Sequence, residues 1–136
     1  MSNFNLLKVI EIDNLTSDSV ALSFEIPEKF KKKYNFISGQ YLSLEIIIDN
    51  IKVRRSYSIC SGPNESLRVG IKKVQGGVFS SYAVDKIKKG DLINVSYPEG
   101  RFCYKSNSGK EIITGIAAGS GITPILSIAQ SVLAAN

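Results

Sequence analysis

Arg55-Ser56-Tyr57-Ser58 is the segment of this sequence best equipped for chemistry. An arginine presents a rigid fork that grips a phosphate or diphosphate through paired, charge-assisted bonds. A tyrosine offers a flat ring for stacking at small entropic cost. In an extended strand, positions 55 and 57 share one face and 56 and 58 the other. Arg55 and Tyr57 can therefore reach the charged bridge and the ring system of one ligand, while Ser58 needs a bend, or its backbone amide, to reach the ring edge. A flavin dinucleotide has both parts, and its reactive ring nitrogen takes a hydroxyl or amide partner that tunes it. Alone, these four residues more often form an edge strand with a tyrosine and a solvated arginine.

Two glycine segments add to them. Gly76-Gly77-Val78-Phe79-Ser80 opens a helical pattern. A glycine pair lets backbone approach a phosphate without a Cβ clash. The helix start beyond it offers unpaired amides and a positive dipole end, to which Ser80 can add a hydroxyl. Taken alone, an ordinary helix start after a flexible turn fits equally well. Gly119-Ser120-Gly121-Ile122-Thr123-Pro124 follows an apolar run and precedes a second helical pattern, the context a nucleotide-binding turn requires. Proline replaces the last glycine of the full Gly-x-Gly-x-x-Gly pattern.

Composition narrows what these segments can serve. The chain has 136 residues, 43% hydrophobic and 21% charged, enough for one globular core. It contains no histidine, so a Ser-His-Asp hydrolase is excluded and the commonest general base is missing. Cys60 and Cys103 form no Cys-x-x-Cys pair, and no metal site is expected. The chemistry is thus expected to belong to a bound cofactor. The net charge of +5, with runs at Lys31-Lys32-Lys33, Lys72-Lys73 and Lys86/Lys88/Lys89, suits phosphate-bearing ligands or acidic partners, though most such lysines are read as solvated surface. No signal peptide or membrane-spanning run is visible, so the expected location is cytoplasmic.

The elements that must position these residues are mainly β. Residues 6–12, 20–26, 41–48, 53–59, 67–74, 92–97 and 101–104 read as strands, with Asp49-Asn50 and Pro98-Glu99-Gly100 as turns. Residues 28–34 form a charged connection with a short helical turn. Val78, Phe79, Tyr82, Ala83 and Ile87 recur at helical spacing, which predicts a helix over 78–88. Its last lysines would favour the dipole, and Gly90 would close it. A linker is expected at 106–110. A short strand at 111–115 and a helix capped by Thr123, with Pro124 at its first position, follow. The expectation is an antiparallel Greek-key barrel of about six strands with one helix, then the first β-α unit of an α/β nucleotide-binding domain. The domains run over 1–107 and 108–136. A parallel sheet needs neighbours that the chain does not supply before Asn136, so a fragment of a longer protein is expected.

The three segments, in this order and with Pro98-x-Gly100-x-Phe102 between the last two, resemble the ferredoxin–NADP reductase superfamily. Arg54-Arg55-Ser56-Tyr57-Ser58-Ile59-Cys60-Ser61 with Gly76-Gly77-Val78-Phe79-Ser80 looks most like the reductase subunits of phenylacetyl-CoA oxygenase and epoxidase systems. The resemblance implies that Arg55 pairs with the FAD diphosphate, Tyr57 stacks on the isoalloxazine and Ser58 bonds near its N5, with Ser56 between them. Gly76, Gly77, Val78, Phe79 and Ser80 would wrap the diphosphate. Gly119, Ser120, Gly121 and Thr123 would meet the nicotinamide nucleotide. It implies a reductase that takes hydride from NAD(P)H onto FAD. Single electrons would then pass to an iron–sulfur domain, a ferredoxin-like protein or an oxygenase, with no nucleic acid or membrane as partner. Two other readings of the residues stay open. One is a basic barrel that binds single-stranded nucleic acid through its lysines, Tyr41, Tyr57 and Phe102. The other is an FMN-binding electron-transfer barrel.

Overall fold

The computed structural model of the protein describes residues 3–105 and 109–135. Among the described residues, six strands form one antiparallel sheet: β1 (Phe4–Thr16), β2 (Ser19–Glu25), β3 (Tyr41–Ile48), β4 (Ile51–Ser58), β5 (Leu67–Lys72) and β6 (Leu92–Ser96). Their order, β4-β3-β6-β1-β2-β5, inserts β6 between β1 and β3 in Greek-key fashion. The long β1 pairs with β6 through Phe4 to Lys8 and with β2 from Lys8 onward. Register shifts at Val9/Glu11 and Asn14/Thr16 bend it around the barrel. The edge strands β4 and β5 meet through an isolated bridge between Ile59 and Val69, beside a 2.9 Å bond from the Cys60 amide to the Arg68 carbonyl.

Alternation along the strands fills the interior. Leu7 and Val9, Val20, Leu22 and Phe24, Leu42 and Leu44, Val69 and Ile71, and Ile93 and Val95 are all buried. A 3₁₀ turn over Glu28–Tyr34 delivers Tyr34, whose hydroxyl donates to the Val95 carbonyl at 2.8 Å. Two α-helices among the described residues lie against the barrel: α1 (Val78–Asp85), which packs on β4 and β5, and α2 (Ile122–Ala135).

Several sequence expectations are corrected. The first helix stops at Asp85, not at 88. The Asp91 carboxylate accepts from the Lys88 amide at 2.8 Å and forms a turn with Gly90 at φ +97°, which redirects the chain into β6. Lys88 and Lys89 therefore lie beyond the helix, outside the reach of its dipole. Residues 101–104 are not a strand. The Phe102 carbonyl instead presses on Gly39, so closely that a Cβ built there would overlap its oxygen. Residues 111–115 join no ladder, because among the described residues no strand lies beside them. Thr123 does not cap α2: the helix begins at Ile122, and the Thr123 hydroxyl donates back to the Ser120 carbonyl at 2.9 Å. Of the linker at 106–110, positions 106–108 lie outside the described residues, as does the expected domain boundary at 107/108.

Candidate functional site

The β3–β4 hairpin sets the first half of the site. Asp49 and Asn50 adopt φ of 51° and 64°, the left-handed pair of a tight two-residue hairpin turn. That turn fixes the register, so Arg55 stands opposite Leu44 and Tyr57 opposite Leu42. Both leucines are completely buried, so Arg55 and Tyr57 belong to the inner face. Ser56 stands opposite Ser43 on the outer face, their hydroxyls 2.9 Å apart, and Ser58 opposite Tyr41 ends the strand. Because β4 is an edge strand, this inner face gives onto the seam between β4 and β5. Arg55 is exposed and donates one bond, from Nη1 to the Arg54 carbonyl at 2.6 Å, leaving other donors for a ligand. Tyr57 is half-buried. Desolvation pushes its phenol up to about 12 against the opposing pull of the Arg55 charge, so it stays neutral across ordinary pH.

The second half is the start of α1. The Gly77 amide donates to the Val74 carbonyl at 2.8 Å, and the Ser80 hydroxyl accepts from the Val74 amide at 3.0 Å. Gly76 takes φ +74°, and a Cβ on Gly77 would lie 2.6 Å from Ser80 Oγ. The turn is thus built for glycine at both places. The first helical bond runs from the Ser81 amide to the Gly77 carbonyl at 3.2 Å, so the amides of Val78, Phe79 and Ser80 precede the ladder. Together with the dipole, amides so placed can take an anion. Ser80 is buried and its oxygen accepts within the turn, so it braces the helix start and keeps its proton to donate.

The two halves touch. The Tyr57 ring lies 5.7 Å from the Phe79 ring at 39°, and Phe79 is 1% exposed. A ring platform, an exposed guanidinium and three amides ahead of the helical ladder are the donor set that a planar ring joined to a diphosphate requires, and the residues fit FAD.

The third glycine segment stands apart. Gly119–Gly121 is a 3₁₀ turn with Gly119 at φ +54°. Thr123 meets the outer face of β5, where a Cβ on Gly70 would lie 3.1 Å from its Cγ2. No hydrogen bond or ring contact among the described residues joins it to Tyr57. The Ser127 hydroxyl donates to the Ser61 carbonyl at 2.7 Å, fully buried, and Gln130 packs over Gly62. Nothing in the local sequence marks Ser61 or Ser127. A glycine inside a strand, as at Gly70, does signal a close approach.

The aromatics available for nucleic acid share no platform. Tyr41 packs at Gly100 with its hydroxyl 3.5 Å from Glu99, Tyr57 faces Phe79, and Phe102 is exposed on a loop. Among the described residues, no group of metal-binding side chains comes together and no helix is long and apolar enough to cross a membrane.

Known proteins share this architecture. Residues 6–104 match the oxidoreductase FAD-binding domain. The chain is 38% identical over 136 residues to one of the subunits of 1,2-phenylacetyl-CoA epoxidase from Escherichia coli (strain K12), covering 98% of this chain and 38% of that protein. It is 34% identical over 131 residues to the ferredoxin reductase component of 3-ketosteroid-9-alpha-monooxygenase from Rhodococcus rhodochrous, covering 94% and 37%. The chain thus spans less than two fifths of the length of these relatives. In fold it is similar to the flavohem-like FAD/NAD binding domain of nitric oxide dioxygenase from Vibrio cholerae O1 biovar El Tor, with TM-score 0.77, 22% identity and coverage of 92% and 55%. With the match spanning residues 6–104, the chain belongs to the oxidoreductase FAD-binding domain family and is of the ferredoxin reductase type.

Proposed function

We propose that residues 1–107 hold FAD in the seam between β4 and α1, and that residues 108–136 open a nicotinamide-nucleotide domain. The observation that carries the reading is the Tyr57–Phe79 contact, which sets the ring platform against the amides that start α1. Arg55 pairs with the diphosphate, and the amides of Val78, Phe79 and Ser80 bind it across the Gly76-Gly77 turn. Tyr57 stacks on the ring, and Ser58, at the end of β4, offers a hydroxyl or amide to its edge. Gly119, Ser120, Gly121 and Thr123 present a helix start for the pyridine nucleotide. When bound, FAD supplies the redox chemistry, accepting hydride from NAD(P)H and releasing electrons one at a time. The chain's own part is binding, alignment and exclusion of water. It has no histidine to move a proton, and the role requires none. The similarity to a ferredoxin reductase component of a monooxygenase supports an iron–sulfur domain, a ferredoxin-like protein or an oxygenase as acceptor.

The test is uptake of FAD by the purified protein, followed by calorimetry and by the flavin absorption spectrum, with mass spectrometry of the extracted chromophore. Saturable binding of FAD in preference to FMN supports the reading. No binding at high micromolar ligand overturns it.

A further inference from the structure

One residue belongs to both halves of the site. The backbone of Phe79 lies in the first turn of α1, where its amide precedes the helical ladder. Its side chain points inward. The ring is 1% exposed, is part of the barrel core with Ala83 one turn later, and lies 5.7 Å from the Tyr57 ring at 39°. The start of the helix is pinned from behind by the Val74 carbonyl and amide, through Gly77 and Ser80. The helix therefore cannot slide without moving the Phe79 ring. Among the described residues the Tyr57 hydroxyl meets no hydrogen-bond partner, so the packing of its ring, not a polar tether, sets its plane.

We infer that Phe79 is a positioning residue: its buried ring sets the plane of Tyr57 and thereby ties the tilt of the stacking platform to the placement of the anion-binding amides. The inference rests on the FAD reading above and deepens it. A main-chain contact serves the diphosphate while the same residue's side chain orders the surface on which the isoalloxazine lies. A substitution that keeps the backbone but removes the ring separates the two duties.

Phe79→Leu keeps an apolar side chain of helix-compatible shape in the core, and two readouts are taken. In the ligand-free protein, the Tyr57 phenol is followed by ultraviolet titration, assigned by difference against Tyr57→Phe. Wild type is expected to titrate at about 12, because burial favours the neutral form. In Phe79→Leu the value falls toward the ordinary 10, because part of the covering ring is gone. With FAD added, a stacked tyrosine quenches flavin emission. Phe79→Leu is expected to weaken FAD binding, though by less than Tyr57→Leu does, while emission of the bound flavin rises severalfold toward that of Tyr57→Leu. Restoring an aromatic, as Phe79→Tyr, brings the quenching back.

Unchanged emission and an unchanged phenol titration in a folded Phe79→Leu protein would overturn the inference. Loss of FAD binding together with an unchanged phenol titration would also overturn it, since Phe79 would then act on the amides alone. If wild type itself takes up no FAD, the function proposed above fails. The phenol titration then still decides whether Phe79 orders Tyr57. Should Phe79→Leu not fold, Phe79→Met serves in both measurements.

Discussion

Arg55 and Tyr57 do different work, and single substitutions separate them. Tyr57→Ala removes the stacking surface and Arg55→Ala the charge-assisted pair; each is expected to weaken FAD uptake by ~1–3 kcal/mol in calorimetry. The Arg55 loss shrinks as salt rises, whereas the Tyr57 loss does not. Tyr57 also imposes a pH dependence on folding. Its phenol is raised from 10 to about 12, so above pH 10 the unfolded chain binds fewer protons than the folded one. Its contribution is fully present below pH 10 and is lost as pH rises toward about 12. Chemical denaturation across that window is expected to show stability falling in wild type and falling less in Tyr57→Phe. The alternation that puts residues 55 and 57 on one face could be read from sequence, since it follows from strand geometry alone. The Phe79 contact could not, because it joins two elements that only the folded sheet brings together.

At the scale of elements, the turn before α1 carries the strictest requirements. Gly77→Ala drives a Cβ against Ser80 Oγ and the Val74 carbonyl, at 2.6 and 3.0 Å, and is expected to cost about 1–3 kcal/mol in denaturant titrations. Gly76→Ala meets open space but must hold φ +74°, at about 1–2 kcal/mol. Both should weaken FAD binding more than a surface change such as Lys86→Ala. The glycine pair, the helix it opens and the Asp49-Asn50 hairpin were legible because their chemistry is local. The end of α1 and the missing strand at 101–104 were not. Asp91 takes the Lys88 amide so that the chain can enter β6, and Gly39, distant along the chain, receives the Phe102 carbonyl. Local propensity carries no record of either. Gly39→Ala, with φ +105° and a backbone oxygen in the way, is expected to cost about 3 kcal/mol or more, seen as a lowered Tm.

Across the whole molecule, the barrel and α2 are latched by small residues: Gly62, Gly70 and the Ser127 hydroxyl on the Ser61 carbonyl. Ser127→Ala leaves that buried carbonyl without this donor and is expected to cost about 1–3 kcal/mol of stability. The barrel itself was legible from alternation and turn spacing, whereas the latch was not, since serine and glycine carry no signal of what will lie on them. The edges of the sheet have a further consequence. A continuous ladder runs from β4 round to β5, and where those two edges converge the hydrogen bonding among the described residues is the bridge at Ile59 and Val69 and the bond from the Cys60 amide to the Arg68 carbonyl. The wall is therefore a zip with few teeth engaged, and the seam between β4 and α1 proposed for the cofactor lies beside its open stretch. Deuterium should enter the Cys60 amide sooner than amides of the β3–β6 ladder such as Val95. A ligand lying across the gap would act as the remaining teeth and slow that entry.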